Sequence, residues 1–523
     1  MDDLRSIRTL ATVIVSTVGA VWVIRRTLKN RSRLPLPPGP KGLPLIGNLL
    51  DMPLDSSWEK YHAWCKQYDT DILYLNVAGK SMVILDTVEA ANELLEKRSL
   101  IYSGRPRMPM VVELMGWDFN LGMMDYGNVW RKHRRLAQQT LHPSSSRPFR
   151  PHIVKATRNL LNLFLERPQD LERNLRHMVA ETVIAVTYGL QVKKEDDLYF
   201  KIAEEGSGAM GRVASASTKY LVNAFPILKY VPEWVPGADF QRIAREGKVL
   251  AKNMVETPYS AANAAFEAGE AEPSFVSASL QKMKEGNEGD VYQEEIIKNS
   301  AGAVYAAGSR TTVSIVLSCL LALVKNPAIL KKAQKELDTV LDSGSLPTFD
   351  DEPDLPYVTA VVNEAFRWRD VAPLAVPHKL SAEDEYKGYR IPAGSIVIAN
   401  GWAMLHDEKI YPDPFTFNPE RFFKDGKLDL ETQRDPAHAC WGFGRRICPG
   451  RFMGYSSVWL AVASIISTFD IEKPRDENGN EVEPQEEYNT AGLTIMAKPF
   501  AYELKPRSQE KAEVIRQSLS FST

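Results

Sequence analysis

Of the four cysteines, at positions 65, 319, 440 and 448, one has neighbours that suit it to chemistry. Cys448 lies in the run 441–451, WGFGRRICPGR. Gly442, Gly444 and Gly450 let the backbone turn tightly and come close to a flat object. Arg445, Arg446 and Arg451 flank the thiol, and an apolar segment of helical character, residues 452–469, follows at once. A cysteine at a helix start and among cations is expected to have its thiolate stabilised by the dipole and the charges. Backbone N–H groups of such a loop can also hydrogen-bond the sulfur and tune its donor strength. The competing reading is a glycine-rich turn around a buried thiol. A nucleophilic cysteine is the weaker option, because no His or Asn context accompanies it.

Other residues gain meaning from their order along the chain. Glu364 and Arg367, in NEAFRWRD, are three apart and share a helix face. Arg421 stands in FNPERF, His378 in VPHK, and Trp130 and Arg134 are four apart in WRKHRR. Singly, each reads as an ordinary solvated side chain. Together with the cysteine loop they resemble the cytochrome P450 family, whose loop reads Phe-x-x-Gly-x-Arg-x-Cys-x-Gly. Trp441 takes the place of the usual Phe, a larger aromatic that still shields the sulfur. The resemblance covers essentially the whole chain. It implies haem b with Cys448 as axial ligand to the iron, in a loop shaped by Gly444 and Gly450. It also implies propionate contacts from Trp130, Arg134, His378 and Arg446, which are the donors a buried dianionic edge requires. Glu364, Arg367 and Arg421 are implied to form a buried triad, which must satisfy its own charges or be costly.

The segment 307–312, AGSRTT, departs from the family pattern Ala/Gly-Gly-x-Asp/Glu-Thr. Gly308 is expected to open the helix beside the iron. Thr311 keeps the hydroxyl that, by resemblance, helps deliver protons to dioxygen. Arg310 replaces the acid, and a guanidinium cannot shuttle protons near neutral pH. Protons then arrive through water or another acid, or coupling is poor, or the reaction needs fewer protons, as a rearrangement or dehydration would. Arg310 is also able to pair with an anionic group of a substrate.

The activity implied is a haem-thiolate monooxygenase, in which thiolate donation to iron favours O–O cleavage. Electrons would come from NADPH through a separate flavoprotein, the NADPH–cytochrome P450 reductase, with cytochrome b5 as a further partner. Arg131, Lys132, Arg135 and Arg451 are candidates for its docking face. A substrate pocket is implied along residues 104–125, 205–225, 300–312, 371–377 and 489–495. It would be lined by Met108, Met110, Val111, Met115, Phe119, Met123, Met124, Met210, Ala303, Ala307, Leu374 and Leu493. Methionine-rich apolar lining suits a lipophilic guest. The early segments are most similar to basidiomycete members that decorate small secondary metabolites, terpenoids first and indole or other aromatic scaffolds second. A non-catalytic haem-binding protein is the rival of a different class, and it would need neither Thr311 nor a shared membrane.

The elements that must position these residues are legible in outline. The chain has 523 residues, 44% of them hydrophobic and 25% charged, which excludes a disordered or polytopic membrane chain. A net charge of −2 gives no sign of a nucleic-acid surface. Helical periodicity marks 153–166, 171–188, 293–325, 327–342 and 355–368, whereas ILYLNVAG, SMVILD and SIVIAN read as strands. Strands early and late with helices between predict an α+β fold, predominantly α-helical. Residues 9–24 carry no charge and precede Arg25, Arg26, Lys29, Arg31 and Arg33. That pattern predicts an N-terminal transmembrane anchor over 1–25, single-pass, with the remainder in the cytosol, against the alternatives of a cleaved signal peptide or a buried core helix; the resemblance implies the endoplasmic reticulum membrane. A basic and proline-rich linker over 26–48 and a catalytic domain over 49–523 follow, with 267–290 as a surface loop.

Overall fold

The computed structural model describes residues 34–53, 55–215, 219–286, 290–431, 434–490 and 493–519. The expected anchor at 1–25 lies outside the described residues. Helices of ten or more residues are labelled in chain order: α1 Ser57–Gln67, α2 Asn128–Leu141, α3 Arg150–Glu166, α4 Leu171–Tyr188, α5 Leu198–Ser215 and α6 Asp239–Glu267. They continue with α7 Phe275–Lys284, α8 Glu294–Lys325, α9 Pro327–Val340, α10 Pro356–Trp368, α11 Arg451–Thr468 and α12 Gln509–Ser518. The main sheet has four strands, β1 Ile72–Val77, β2 Lys80–Leu85, β3 His378–Lys379 and β4 Ile396–Ala399, in spatial order β1-β2-β4-β3. A small hairpin pairs β5 Tyr488–Asn489 with β6 Met496–Ala497. The result is the expected α+β arrangement.

The long helix α8 organises the body. Its sequence is apolar on all faces from Val313 to Val324, and every residue of that stretch is buried. A helix apolar all round has to be enclosed, by protein or by lipid. By length and hydropathy α8 would span a bilayer, but here it runs through the protein core. It packs on α2, α4, α5, α6 and α11, the helices that carry or follow most of the candidate site residues.

In the main sheet β1 and β2 form a tight antiparallel hairpin with Val77 opposite Lys80. Strand β4 then joins β2 in parallel, Met82 facing Ile396 and Leu85 facing Ala399. Part of the stretch read as a spacer is tied to this sheet. Tyr74 N–H donates to the Pro38 carbonyl and Arg390 N–H to that of Pro35, while Gly47 bridges Val77. A Cβ on Gly39 would stand 2.1 Å from the Tyr74 carbonyl oxygen, so this contact needs glycine.

One expectation is corrected. The polar stretch 267–290 is not a plain loop, because α7 occupies its middle. Ser274 and Ser277 bond reciprocally to each other's backbone N–H as a capping box, and Phe275, Val276 and Leu280 are buried. The cap uses Ser where Glu or Gln is the usual signal. The surrounding charge hid a short apolar face.

Between α3 and α4 lies a buried acid with an incomplete partner set. Asn159 Nδ2 donates to Glu181 Oε1 at 2.6 Å, and Glu181 Oε2 has no partner among the described residues. Burial pushes the Glu181 carboxyl up to about 7. The folded state therefore holds a proton that the unfolded chain, at about 4.3, releases. This contribution to stability is complete below about pH 4.3 and is lost as pH rises through 7. Glu181→Gln is expected to remove that decline, seen as a higher melting temperature than the unaltered chain at pH 8 and little difference at pH 5. An equal difference at both pH values would assign the effect to packing instead.

Candidate active site

The cysteine loop is built on two left-handed glycines. Gly442 and Gly444 have φ of 77° and 57°, and a Cβ on Gly444 would lie 2.0 Å from the Leu95 carbonyl oxygen. Cys448 N–H donates to the Trp441 carbonyl at 2.8 Å, which folds the loop back on itself. Trp441 packs beside Phe366, ring centroids 5.1 Å apart, and lies over Gly454. Gly450 is the residue before α11, and its N–H bonds the Cys448 sulfur. A Cβ there would meet no protein atom within 4 Å. Cys448 sits deep in the protein yet keeps accessible surface. Burial raises its thiol above the ordinary value, opposed by the Gly450 N–H and by Arg134 and Arg451. The helix end and the cations thus temper the cost of burying a thiolate without overcoming it. A directly bound metal cation would be needed for that.

Beside the loop, cationic groups outnumber the carboxylates near them. Arg134 of α2 donates to the Ile447 carbonyl at 2.5 Å. Arg446 spends its guanidinium on the carbonyls of Ser103, Leu121 and Met124 and lies 4.4 Å over the Trp130 ring. The indole Nε1 of Trp130 is buried and has no hydrogen-bond partner among the described residues. His378 Nδ1 meets the Tyr102 carbonyl at 2.8 Å, so Nδ1 carries the proton and Nε2 is a bare acceptor. Burial, with Arg105 and Arg446 beside it, pushes His378 down to about 3. Burial also lowers Arg446 to about 10.

Arg105 belongs to this group and has no motif to announce it. It is 5% exposed, and it donates to the carbonyls of Gly122, Val376 and Pro377 at 2.8–2.9 Å. Burial and the neighbouring Arg446 hold it well below the usual arginine value. Asp125, which accepts from the Arg105 backbone N–H, is the carboxylate that acts on Arg105 and Arg446, and it is exposed. Three inward guanidiniums, an indole N–H in want of an acceptor and one outward carboxylate make a cradle for an anion with two charges. The residues present fit the carboxylate edge of a haem.

Glu364, Arg367 and Arg421 come together. Arg367 Nε and Nη2 reach the two oxygens of Glu364 at 2.7 and 2.8 Å, and Arg421 Nε reaches Oε1 at 3.1 Å. Glu364 and Arg367 are fully buried. Asn418 N–H also donates to Glu364, while the carbonyls of Leu405, Pro412, Asp413 and Thr416 take the remaining guanidinium hydrogens. This network joins α10 to the segment 405–421.

On α8, Ala307 and Thr311 are exposed within a helix that is otherwise largely buried, and Ala303 lies one turn before them. Residues four apart share a face, so Ala307 and Thr311 form one accessible stripe on that helix. Thr311 Oγ1 donates to the Ala307 carbonyl at 3.2 Å. Gly308 differs from its expected part. The helix runs unbroken through it, and a Cβ there would press to 2.7 Å from Val183 of α4. Its small size serves close helix packing on another face of α8. Among the methionine-rich stretches, Met110, Val111, Met115 and Phe119 are buried in the main apolar core, and Met115 fills the space left by Gly247 of α6. Met108, Met124, Leu374 and Leu493 keep partial exposure.

The cytochrome P450 family profile matches residues 37–504. The chain is a cytochrome P450. It is 43% identical over 515 residues, 98% of both chains, to "Cytochrome P450 monooxygenase 98" of Postia placenta. It is 42% identical to the tryptamine 4-monooxygenase of Psilocybe cyanescens, over 95% of this chain and 98% of that one. A third relative, the cytochrome P450 monooxygenase ple1 of Rhodocybe pseudopiperita, shares 42% identity over 95% of this chain and 94% of its own. As a P450 monooxygenase the protein is an oxidoreductase that uses haem.

Proposed function

We propose that this P450 inserts one atom of dioxygen into a small lipophilic substrate of secondary metabolism, a terpenoid first and an indole or other aromatic second. The observation that carries it is the open stripe of Ala307 and Thr311 on a buried apolar helix. The relative named a tryptamine 4-monooxygenase supports the aromatic alternative. Cys448 would hold the haem iron; Arg105, Trp130, Arg134, His378 and Arg446 would hold its carboxylates. When bound, the haem supplies the centre at which dioxygen is reduced. His378 must take up a second proton to donate from Nε2, which an anion placed between Arg105 and Arg446 would favour. Thr311 would hand on protons through its hydroxyl, and Arg310, having no proton to release, leaves their supply to water. Apolar walls along α8 would exclude bulk solvent and let a guest displace what remains.

Electrons would come from NADPH through a flavoprotein reductase, with cytochrome b5 as a second donor. A cleft of about 580 Å³ supports an acidic partner here, since its walls include Arg131, Arg134, Arg135, His142 and Lys282 and, among the described residues, no carboxylate. Lys132 pairs with Asp290 at 3.8 Å, and Arg451 stacks on Phe452. The anchor in the endoplasmic reticulum is supported by exposed apolar side chains in the described part of the chain. Leu45 is 94% and Trp234 82% exposed, in two apolar segments joined to the same β1–β2 turn by Ala78 N–H to Ile46 and Lys80 Nζ to Asn223.

Turnover by the full chain in microsomes with a reductase, NADPH and ¹⁸O₂ tests the reading. One labelled oxygen per product molecule, from a terpenoid or indole probe, is expected. Product without label would move the assignment to rearrangement or dehydration, and absence of any product across both classes would reject it. Loss of the chain from the same membranes on alkaline carbonate washing would reject the anchor.

A further inference from the structure

Arg310 is the lone charged residue of α8 between Lys298 and Lys325. It is half-buried and forms no hydrogen bond or ion pair with any described residue. The other charges of the helix stand near its ends, where Lys298, for example, pairs with Glu256. A guanidinium partly withdrawn from water loses hydration, and with no counter-ion among the described residues it is left able to meet an anion.

The neighbours of Arg310 fix its side of the helix. Gly308 faces Val183 of α4, and Ser309 meets Ser207 of α5 across 3.3 Å. Arg310 is one turn before Ser314, whose hydroxyl donates to the Ile495 carbonyl at 2.6 Å in the β5–β6 hairpin. Residues four apart lie on one face, so Arg310 shares the hairpin side with Ser314. Long helical side chains lean toward the helix N-terminus and cover the preceding turn. For Arg310 that turn is Ala306 and Ala307, the edge of the open stripe. In the hairpin Leu493 is half-buried and Thr494 exposed, two residues and one residue before the Ile495 carbonyl that Ser314 reaches.

We infer that Arg310 is the anchor for a carboxylate on a lipophilic substrate, held between α8 and the β5–β6 hairpin while the apolar part lies along Ala303, Ala307 and Thr311. The inference rests on the monooxygenase reading and adds to it the charge of the substrate. A bidentate guanidinium–carboxylate pair fixes orientation as well as affinity, so the acid also sets which carbon faces the reacting centre. Cationic guests are disfavoured at the same point by like charge.

The test is binding to the haem-loaded full chain, followed by the ligand-induced shift of the Soret band. Three pairs differing only in charge serve as probes: dodecanoic acid, dehydroabietic acid and indole-3-propionic acid, each against its primary amide. At least one acid is expected to bind about tenfold more tightly than its amide. Arg310→Gln is expected to equalise that pair, and Arg310→Lys to keep part of the difference because charge survives without the fork. Equal affinities in all three pairs would overturn the inference, as would an acid preference unchanged in R310Q. A reduced, carbon-monoxide-bound spectrum lacking the thiolate band would instead reject the parent reading, so the two failures are distinct.

Discussion

Replacing Cys448 by alanine is expected to erase the strongly red-shifted Soret band of the reduced, carbon-monoxide-bound protein and to lower turnover by roughly a thousandfold or more. No other thiol can substitute. Cys65 and Cys319 are buried in separate apolar clusters, and Cys440 packs between the Cys319 cluster and a third one around Ala439 and Phe443. The loop would survive the change, because its turns depend on Gly442, Gly444 and the Cys448 N–H to Trp441 bond, none of which uses the sulfur. Circular dichroism should therefore stay close to that of the unaltered chain. An imidazole-like band in the unaltered protein would sink the assignment of Cys448. So would a red-shifted band that persists in C448A.

Glu364→Ala is expected to cost about 3–5 kcal/mol and to prevent accumulation of haem-loaded protein at 37 °C. The size follows from what stays behind. Glu364 accepts from two arginines and a backbone N–H, so its loss strands Arg367, which is fully buried, and Arg421, which is nearly so. Arg367 also stands 5.3 Å from the Tyr411 ring and bonds the Leu405 carbonyl, so it cannot swing out to water without tearing both. Thermal melts of the apoprotein, together with haem content per chain, would measure the effect. A fall of less than about 1 kcal/mol would show that the network is replaceable. Removing Glu364 and Arg367 together for apolar residues of similar volume should cost less than Glu364→Ala alone, since one stranded guanidinium, that of Arg421, then remains instead of two.

The sequence carried the long elements well, because their signal is periodic. Residues 171–188 and 293–325 were marked by apolar spacing and emerge as α4 and α8 within one residue. The three apolar runs read as strands all enter the main sheet. Their partnership was not legible, as β2 and β4 pair across most of the chain and nothing local specifies the match. At the site, residue types and order pointed to the triad, yet the contact of Arg421 with Glu364 is tertiary. Arg105 went unseen for the same reason: an arginine beside a proline, in RPR, looks solvated until Gly122, Val376 and Pro377 close over it. Gly308 was read from its neighbours in sequence, whereas its need for smallness comes from Val183 on another helix. Composition also misled at α7, where two serines cap a helix inside a charged stretch.

The parallel pairing of β2 with β4 has a consequence for biogenesis. Residues 82–85 leave the ribosome about 310 residues before 396–399, their sheet partner, is made. At about 5–20 residues per second the β1–β2 hairpin waits some 15–60 s with one edge open. An unpaired edge of Met82, Val83, Ile84 and Leu85 is a template for adventitious strand addition throughout that interval. Chaperone cover, or a fast-translated middle third of the message, would shorten the exposure; slow codons between the two strands would lengthen it.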